Sequence, residues 1–282
     1  MPCSVCVGQF VVDSLVLKGG IACFFMALSA GVLGVFLVLR RMTLMADGLS
    51  HGLLPGVACA SALFGESLAG MIVLGSWGAI VLAMATVWIG HRCRLTQDAV
   101  FSGLSLFAIG LGMVVLQNQS DHCHHVLTGS LTTLTWKGVG MMIGVACLTL
   151  LFFVKRYRAL YVSSFDPLFF ELQGGNIKRL ELSFLGLLTL NLVVSVQVLG
   201  TLMVLSVIII PALIMRIMAD TLVGMLIGAV SIGAVVSLFS VITSRYRPEQ
   251  CGAWITFSLG VLYCLALGYD MARPLALSRN SP

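Results

Sequence analysis

The chain has 282 residues, of which 59% are hydrophobic and 10% are charged, and its formal net charge is +5. Soluble globular proteins have about 45–50% apolar and about 25% charged residues. This composition therefore excludes a soluble enzyme, a nucleic-acid-binding protein and a disordered chain. The apolar runs are unbroken and lack the period-two alternation of a transmembrane β-strand, so we predict an all-α polytopic membrane protein.

Successive apolar runs along the chain predict about nine transmembrane helices, within a range of about eight to ten. The second run is short for a span, and the sixth and seventh meet without a charged break. The N-terminal segment lacks the basic region and cleavage site of a signal peptide, so we expect the first span to be retained. No internal repeat is visible, which predicts one membrane domain over residues 1–282. The runs are residues 19–39, 49–63, 69–90, 99–116, 138–154, 182–200, 201–218, 221–243 and 252–269.

Lysine and arginine residues between these runs predict the orientation, because cytoplasmic loops carry the excess of positive charge. One orientation leaves only four of the sixteen outside the cell, namely Lys18, Lys137, Arg245 and Arg247. In this orientation the N-terminus is external, the C-terminus is internal and residues 155–181 are cytoplasmic.

Two pairs of glycines have the small-xxx-small spacing of helix-packing motifs. They are Gly140 with Gly144 and Gly224 with Gly228. We expect these pairs to let helix backbones approach closely.

The cytoplasmic segment 155–181 is too long for a simple connector. Asp166 is a preferred helix N-cap, Pro167 suits a first turn, and the glycines at 174 and 175 suit a helix end. The pattern predicts a short amphipathic helix over residues 165–175. Either it anchors the chain at the membrane interface or it offers Phe169 and Phe170 as apolar contacts to a soluble partner.

The external loop after the fourth run contains three histidines, His122, His124 and His125, close to Asp121. Histidine and carboxylate side chains bind divalent metals. The loop is either a site of transient metal capture or an ordinary solvated loop.

Asp47 and His51 place ionisable groups at membrane depth when the internal interface lies near Arg41. They are four residues apart, so on a helix they share one face, about 6 Å apart along the axis. Ionisable groups at membrane depth normally line an aqueous path or pair with each other. A carboxylate with an imidazole suits Zn²⁺, Mn²⁺ or Fe²⁺ better than K⁺ or an organic solute. The alternative is a structural hydrogen bond that ties two helices together.

Three stretches of the sequence have a recognisable motif. The first is Leu39-Arg-Arg-Met-Thr-Leu-Met-Ala-Asp47-Gly-Leu-Ser-His51-Gly-Leu-Leu-Pro55-Gly-Val. The second is the glycine-initiated apolar run that ends in Ile-Ile-Pro211-Ala, and the third is Ser164-Phe-Asp-Pro167. Together they resemble the membrane permease subunits of zinc/manganese/iron-type ABC importers, and the resemblance extends over residues 15–269. Ala46 stands where the family more usually has glycine, and the His122–His125 cluster is not part of the family pattern.

The resemblance implies a permease in the bacterial inner membrane that imports a divalent metal with the help of partners. They are a cytoplasmic ABC ATPase, an extracytoplasmic metal-binding protein and a second permease copy or a sister permease. The matching Asp47 and His51 would be the metal ligands of the pathway, and no cofactor would be bound permanently. The residues implied in ATPase coupling are Phe165, Asp166, Phe169, Phe170 and Glu171.

Two other classes of function stay open at this stage. A secondary transporter could use Asp47 to carry a coupling proton. An intramembrane enzyme is the other, but the chain has no HExxH pattern. It also lacks a GxxxxGK[ST] phosphate loop, so ATP hydrolysis would require a separate subunit. Dependence of transport on ATP separates the importer from the gradient-driven carrier. The sequence does not distinguish zinc from manganese or iron as the transported metal.

Overall fold

The computed structural model describes residues 3–64, 68–93, 97–116, 134–243 and 251–278, and all regular elements in these ranges are helices. This agrees with the all-α prediction. In chain order the helices are α1 (Cys3–Leu39), α2 (Thr43–Phe64), α3 (Leu68–Cys93), α4 (Gln97–Leu116), α5 (Trp136–Phe165), α6 (Pro167–Leu172), α7 (Ile177–Leu199), α8 (Thr201–Met218), α9 (Leu222–Thr243) and α10 (Cys251–Ser278).

Six of the described helices are long and apolar enough to cross a membrane: α1, α5, α7, α8, α9 and α10. The apolar stretches of α3 and α4 are shorter, over residues 70–86 and 100–112. Helix α2 contains both Asp47 and His51, which lower its hydropathy. The chain is therefore a multi-pass helical membrane protein, and the count of nine spans stays a prediction.

Gly200 divides the sixth and seventh apolar runs into two helices. Its φ of +90° belongs to a backbone region that glycine adopts more easily than other residues. Its N–H donates to the Val196 carbonyl at 2.9 Å, and its own carbonyl accepts from the Val204 N–H at 3.3 Å. A single residue thus ends α7 and begins α8, although no charge marks the boundary in the sequence.

The centre of the bundle is formed around α1, which packs against α5, α8 and α9. Three buried rings join α1, α5 and α7 near the end of α1. The Phe36 and Phe153 rings lie 5.0 Å apart, and the Phe184 ring meets Phe153 edge-on at 6.4 Å. Helices α2, α3 and α4 pack mainly on one another, and α3 joins them to α7.

The glycine pairs expected from their spacing differ in the structure, since Gly228 lies against a neighbouring helix whereas Gly140 and Gly144 make no close contact among the described residues. A Cβ added to Gly140 or Gly144 would meet no atom of the described residues within 4 Å, so the expectation is wrong for this pair within that part of the chain. Gly228 receives the side chain of Met215. At Gly34 in α1, an added Cβ would overlap the backbone carbonyl oxygen of Ile208 in α8. Gly34 therefore sets the distance between α1 and α8.

We expect Gly34→Ala to destabilise the protein, because backbone atoms of α8 cannot give way as a flexible side chain can. Overpacking of this kind costs about 1–3 kcal/mol. Gly140→Ala is the matched control, and it should be neutral or stabilising because alanine is the better helix former. Thermal unfolding of both variants in detergent measures the difference, and equal midpoints would contradict the close contact.

Candidate metal centre

The turn before α2 fixes where that helix begins. Arg41 has φ = +58°, the left-handed conformation that commonly ends a helix. The Met42 N–H donates to the Leu37 carbonyl at 2.9 Å, and the Arg41 N–H donates to the Val38 carbonyl at 3.2 Å. This pair of bonds is the Schellman pattern, which satisfies the last carbonyls of α1. Helix α2 then begins at Thr43, one turn before Asp47.

A row of glycines packs α2 against its neighbours. Gly48, Gly52 and Gly56 are spaced four apart and share one face. A Cβ at Gly48 would overlap the Phe101 ring of α4, and one at Gly56 would overlap the Leu74 carbonyl of α3. Since no side chain fits between the helices at these points, α2 is held tightly between α3 and α4. The four-residue glycine spacing is a signal in the sequence that the sequence analysis missed.

Asp47 and His51 each precede one of these glycines, so they lie one above the other on an adjacent face of α2. His51 Nε2 is 3.5 Å from Asp47 Oδ1. The Asp47 side chain is 53% exposed and that of His51 is 24% exposed. The structure therefore brings the two predicted ligands together, with the carboxylate open to an approaching ion.

The contact between Asp47 and His51 lies within one helix. Among the described residues, neither side chain forms an ion pair with another helix. A bond that ties two helices, the structural alternative for this pair, is therefore not what the geometry shows. The Nδ1 atom of His51 is buried and has no hydrogen-bond partner.

Pro55 weakens α2 at the level of His51. Proline has no backbone N–H, and its ring crowds the carbonyl four residues earlier. Residue 55 therefore provides no helical donor to the carbonyl of His51. We conclude that α2 can bend next to the Asp47–His51 pair more easily than elsewhere along its length.

Asp47 and His51 provide two donors for a metal. Within the ranges that the structure describes, no group of three or more His, Cys, Asp or Glu side chains could hold a metal ion. An ion bound here would need further ligands besides these two side chains. The predicted external ligands His122, His124 and His125 lie outside the described residues.

The predicted short helix after α5 is present as α6, and its ends have the expected chemistry. Asp166 caps the helix by accepting a hydrogen bond from the Phe169 N–H at 3.0 Å, and Pro167 is the first helical residue. Gly174 follows the helix with φ = +81°. Phe165 belongs to α5 and is its last residue.

The exposed apolar face of α6 differs from the expected one. Phe169 is 49% exposed, but Phe170 is half-buried against the core, so the expectation that both rings are available to a partner is wrong for Phe170. Leu168 and Leu172, which sequence reasoning did not single out, are 73% and 86% exposed. Their positions on the same short helix as Phe169 were the signal in the sequence that could have identified them as part of its apolar surface.

Two polar side chains on α7 were also not singled out from the sequence. The Asn191 Nδ2 donates to Thr149 Oγ1 of α5 at 3.4 Å, while its Oδ1 is buried without a partner. The Nε2 atom of Gln197 is likewise buried without a partner. The signal was an amide side chain within an apolar run, since polar groups in membrane spans are commonly functional.

Comparison with known proteins relates most of the chain to transport proteins. Residues 12–270 match the model of the family described as ABC 3 transport family. The chain is 28% identical over 255 residues to the manganese transport system membrane protein MntC of Listeria monocytogenes, with 89% of each chain covered. It is 27% identical over 255 residues to the chelated iron transport system membrane protein YfeD of Yersinia pestis, covering 89% of this chain and 84% of the relative.

A solved structure shares the fold. It is PsaBC from Streptococcus pneumoniae in complex with Fab, with a TM-score of 0.78 and 25% sequence identity. The match covers 89% of this chain and 90% of the other. Similarity in sequence and similarity in fold thus extend over the same large share of the molecule.

Proposed function

Because the chain belongs to the ABC 3 transport family, we propose that it is the membrane permease of an ATP-driven importer of divalent transition-metal cations. Its cargo would be zinc, manganese or iron, passed from an extracytoplasmic binding protein to the cytoplasm. The observation that carries the proposal is the pair Asp47 and His51, with donor atoms 3.5 Å apart and a half-exposed carboxylate. Similarity to manganese and chelated-iron transport proteins supports the choice of cargo.

Each member of the pair has a distinct task in this proposal. The Asp47 carboxylate offsets the loss of hydration of a divalent cation, which no neutral group could offset alone. Neutral His51 donates a nitrogen lone pair and orients the ion. Two protein ligands hold an ion weakly, which suits a pathway because the ion must also leave.

The proposal includes the partners of an importer. ATP hydrolysis would come from a separate cytoplasmic ABC ATPase, since this chain lacks a phosphate loop. That ATPase would dock on the exposed apolar residues of α6. A second permease copy or a sister permease would complete the pathway. The whole chain, residues 1–282, would form one permease domain in the bacterial inner membrane.

Reconstitution tests the proposal directly. The permease and its ATPase are placed in vesicles. Mn²⁺, Zn²⁺ and Fe²⁺ are then supplied in turn, together with the binding protein, on the side of the membrane that the permease's external face meets. We expect uptake of at least one metal only when ATP is present on the ATPase side. Uptake that follows an imposed proton gradient without ATP would contradict the importer and favour a secondary transporter.

A further inference from the structure

Arg40 joins three helices at the end of α1. Its Nη2 donates to Ser163 Oγ at 2.7 Å, and its Nε donates to Ser164 Oγ at 3.3 Å, both in α5. Its guanidinium also lies over the Phe184 ring of α7, 5.2 Å from the ring centre. Arginine suits this place because its planar group offers several donors in fixed directions and stacks on aromatic rings.

The partners of Arg40 are themselves held in place. Both serine hydroxyls donate to the Leu160 carbonyl, at 3.2 Å from Ser163 and 2.7 Å from Ser164, so their lone pairs are free to accept from Arg40. Phe184 is 1% exposed and packs edge-on against Phe153. The junction is therefore rigid rather than a surface contact that forms and breaks freely.

The electrostatic surroundings keep a cation at this junction. Burial lowers the pKa of the Arg40 guanidinium from its ordinary value, and the negative charge of Glu181 in α7 opposes that effect. An arginine side chain stays protonated in proteins. Arg40 thus acts as a permanent positive charge between α5 and α7.

The junction lies between the two elements that the proposed function uses. On one side, the backbone of Arg40 leads through a three-residue turn into α2, where Asp47 and His51 lie. On the other side, Ser164 precedes Pro167, the start of α6, by three residues, and Phe184 lies on α7, the helix that follows α6. Arg40 therefore contacts the helices on both sides of α6 while it belongs to the turn that begins α2.

From this arrangement we infer that Arg40 is the positioning residue that transmits movement of α6 to α2. The inference rests on the proposed function. When a partner displaces α6, the ends of α5 and α7 move with it, and the two hydrogen bonds pull on the turn at residues 40–42. Because Pro55 lets α2 bend beside His51, this movement changes the access of an ion to Asp47 and His51. In this inference Arg40 acts only through its contacts with Ser163, Ser164 and Phe184.

The test measures metal ions transported per ATP hydrolysed, using the full permease with its ATPase in vesicles and Mn²⁺, or whichever cation the wild type imports. Arg40→Gln should leave ATP hydrolysis running but lower the transported ions per ATP by about fivefold or more, the lower range of coupling between sites. Arg40→Lys keeps the charge but cannot bridge both hydroxyls, so it should restore the ratio only in part. The double variant Ser163→Ala with Ser164→Ala keeps the arginine, removes its acceptors and should lower the ratio as well.

Arg41→Gln is the matched control, because it removes an equal charge from the adjacent exposed residue. Its ratio should equal that of the wild type. If Arg40→Gln and the serine double variant both give less folded protein and still keep the wild-type ratio of ions to ATP per folded complex, Arg40 is a structural residue only. In that case the inference is wrong. If the wild-type complex takes up no metal with ATP, the proposed function and this inference are both wrong. If the wild type imports metal and the Arg40→Gln and serine variants keep its ratio, only this inference is wrong.

Discussion

Asp47→Asn and His51→Ala should each lower metal uptake per folded permease by at least about tenfold. Loss of the outer groups that only orient metal ligands typically costs about 10–100-fold in affinity or activity, so loss of a proposed ligand itself should cost at least as much. Asp47→Asn keeps the shape of the side chain and removes its charge. It therefore tests whether the negative charge compensates the ion for the loss of its hydration. Uptake in reconstituted vesicles, divided by the amount of folded permease, measures the effect.

Ser50→Ala is the matched control for these two variants. Ser50 lies in the same turn of α2 and is buried, and its hydroxyl donates to the backbone carbonyl of Asp47 at 2.6 Å. Its removal disturbs the helix locally without removing a side-chain ligand, so uptake should stay near that of the wild type. Near-normal uptake by folded His51→Ala would show that the imidazole is not a ligand.

Replacing Leu168 and Phe169 together by serine should weaken the binding of the proposed ATPase to the permease. A minority of interface side chains, clustered near the centre, cost more than about 1 kcal/mol each when truncated, and about 1.4 kcal/mol is a factor of ten in affinity. We expect affinity for the ATPase to fall by about tenfold or more, and ATP-dependent uptake to fall with it. Titration of labelled ATPase against the permease in nanodiscs gives the affinity.

Two further variants separate docking from folding. Gln173→Ala changes an exposed residue just after α6 that carries no apolar surface, and it should bind the ATPase like the wild type. Phe170→Ser removes a half-buried ring and is expected to lower thermal stability instead of acting on the interface alone. Unchanged affinity of the Leu168 and Phe169 double variant would leave α6 as an interfacial anchor.

The features that the sequence predicted correctly are those decided within one or two helical turns. The spacing of Asp47 and His51 determines their approach, because residues four apart on a helix always share a face. Asp166 caps α6 and Gly174 follows it because these conformations depend on the local backbone. The family was also evident, since its motifs combine local patterns of this kind.

The sequence placed the boundary between the sixth and seventh apolar runs at residues 200 and 201, as observed, but did not predict the backbone geometry that forms it. The junction of α7 and α8 at Gly200 is one residue long and carries no charge. An apolar run of that length is equally consistent with one long helix or two short ones. The positive φ at Gly200 became evident only in the structure.

Only the tertiary structure decided which side chains face protein and which do not. In a water-soluble protein, an apolar stripe reveals the buried face, but in a membrane both the lipid and the protein interior are apolar. The sequence thus could not tell that a Cβ at Gly34 would overlap α8, while one at Gly140 would meet no atom of the described residues within 4 Å.

The composition and local patterns of this sequence by themselves determined a helical membrane protein with a carboxylate and an imidazole on one face of α2. The tertiary structure decided the contacts of Arg40, whose partners Ser163 and Ser164 are 123 and 124 residues away in the sequence. The physical reason is that helical geometry links residues only over a few positions. Contacts between distant helices depend on how the whole bundle packs.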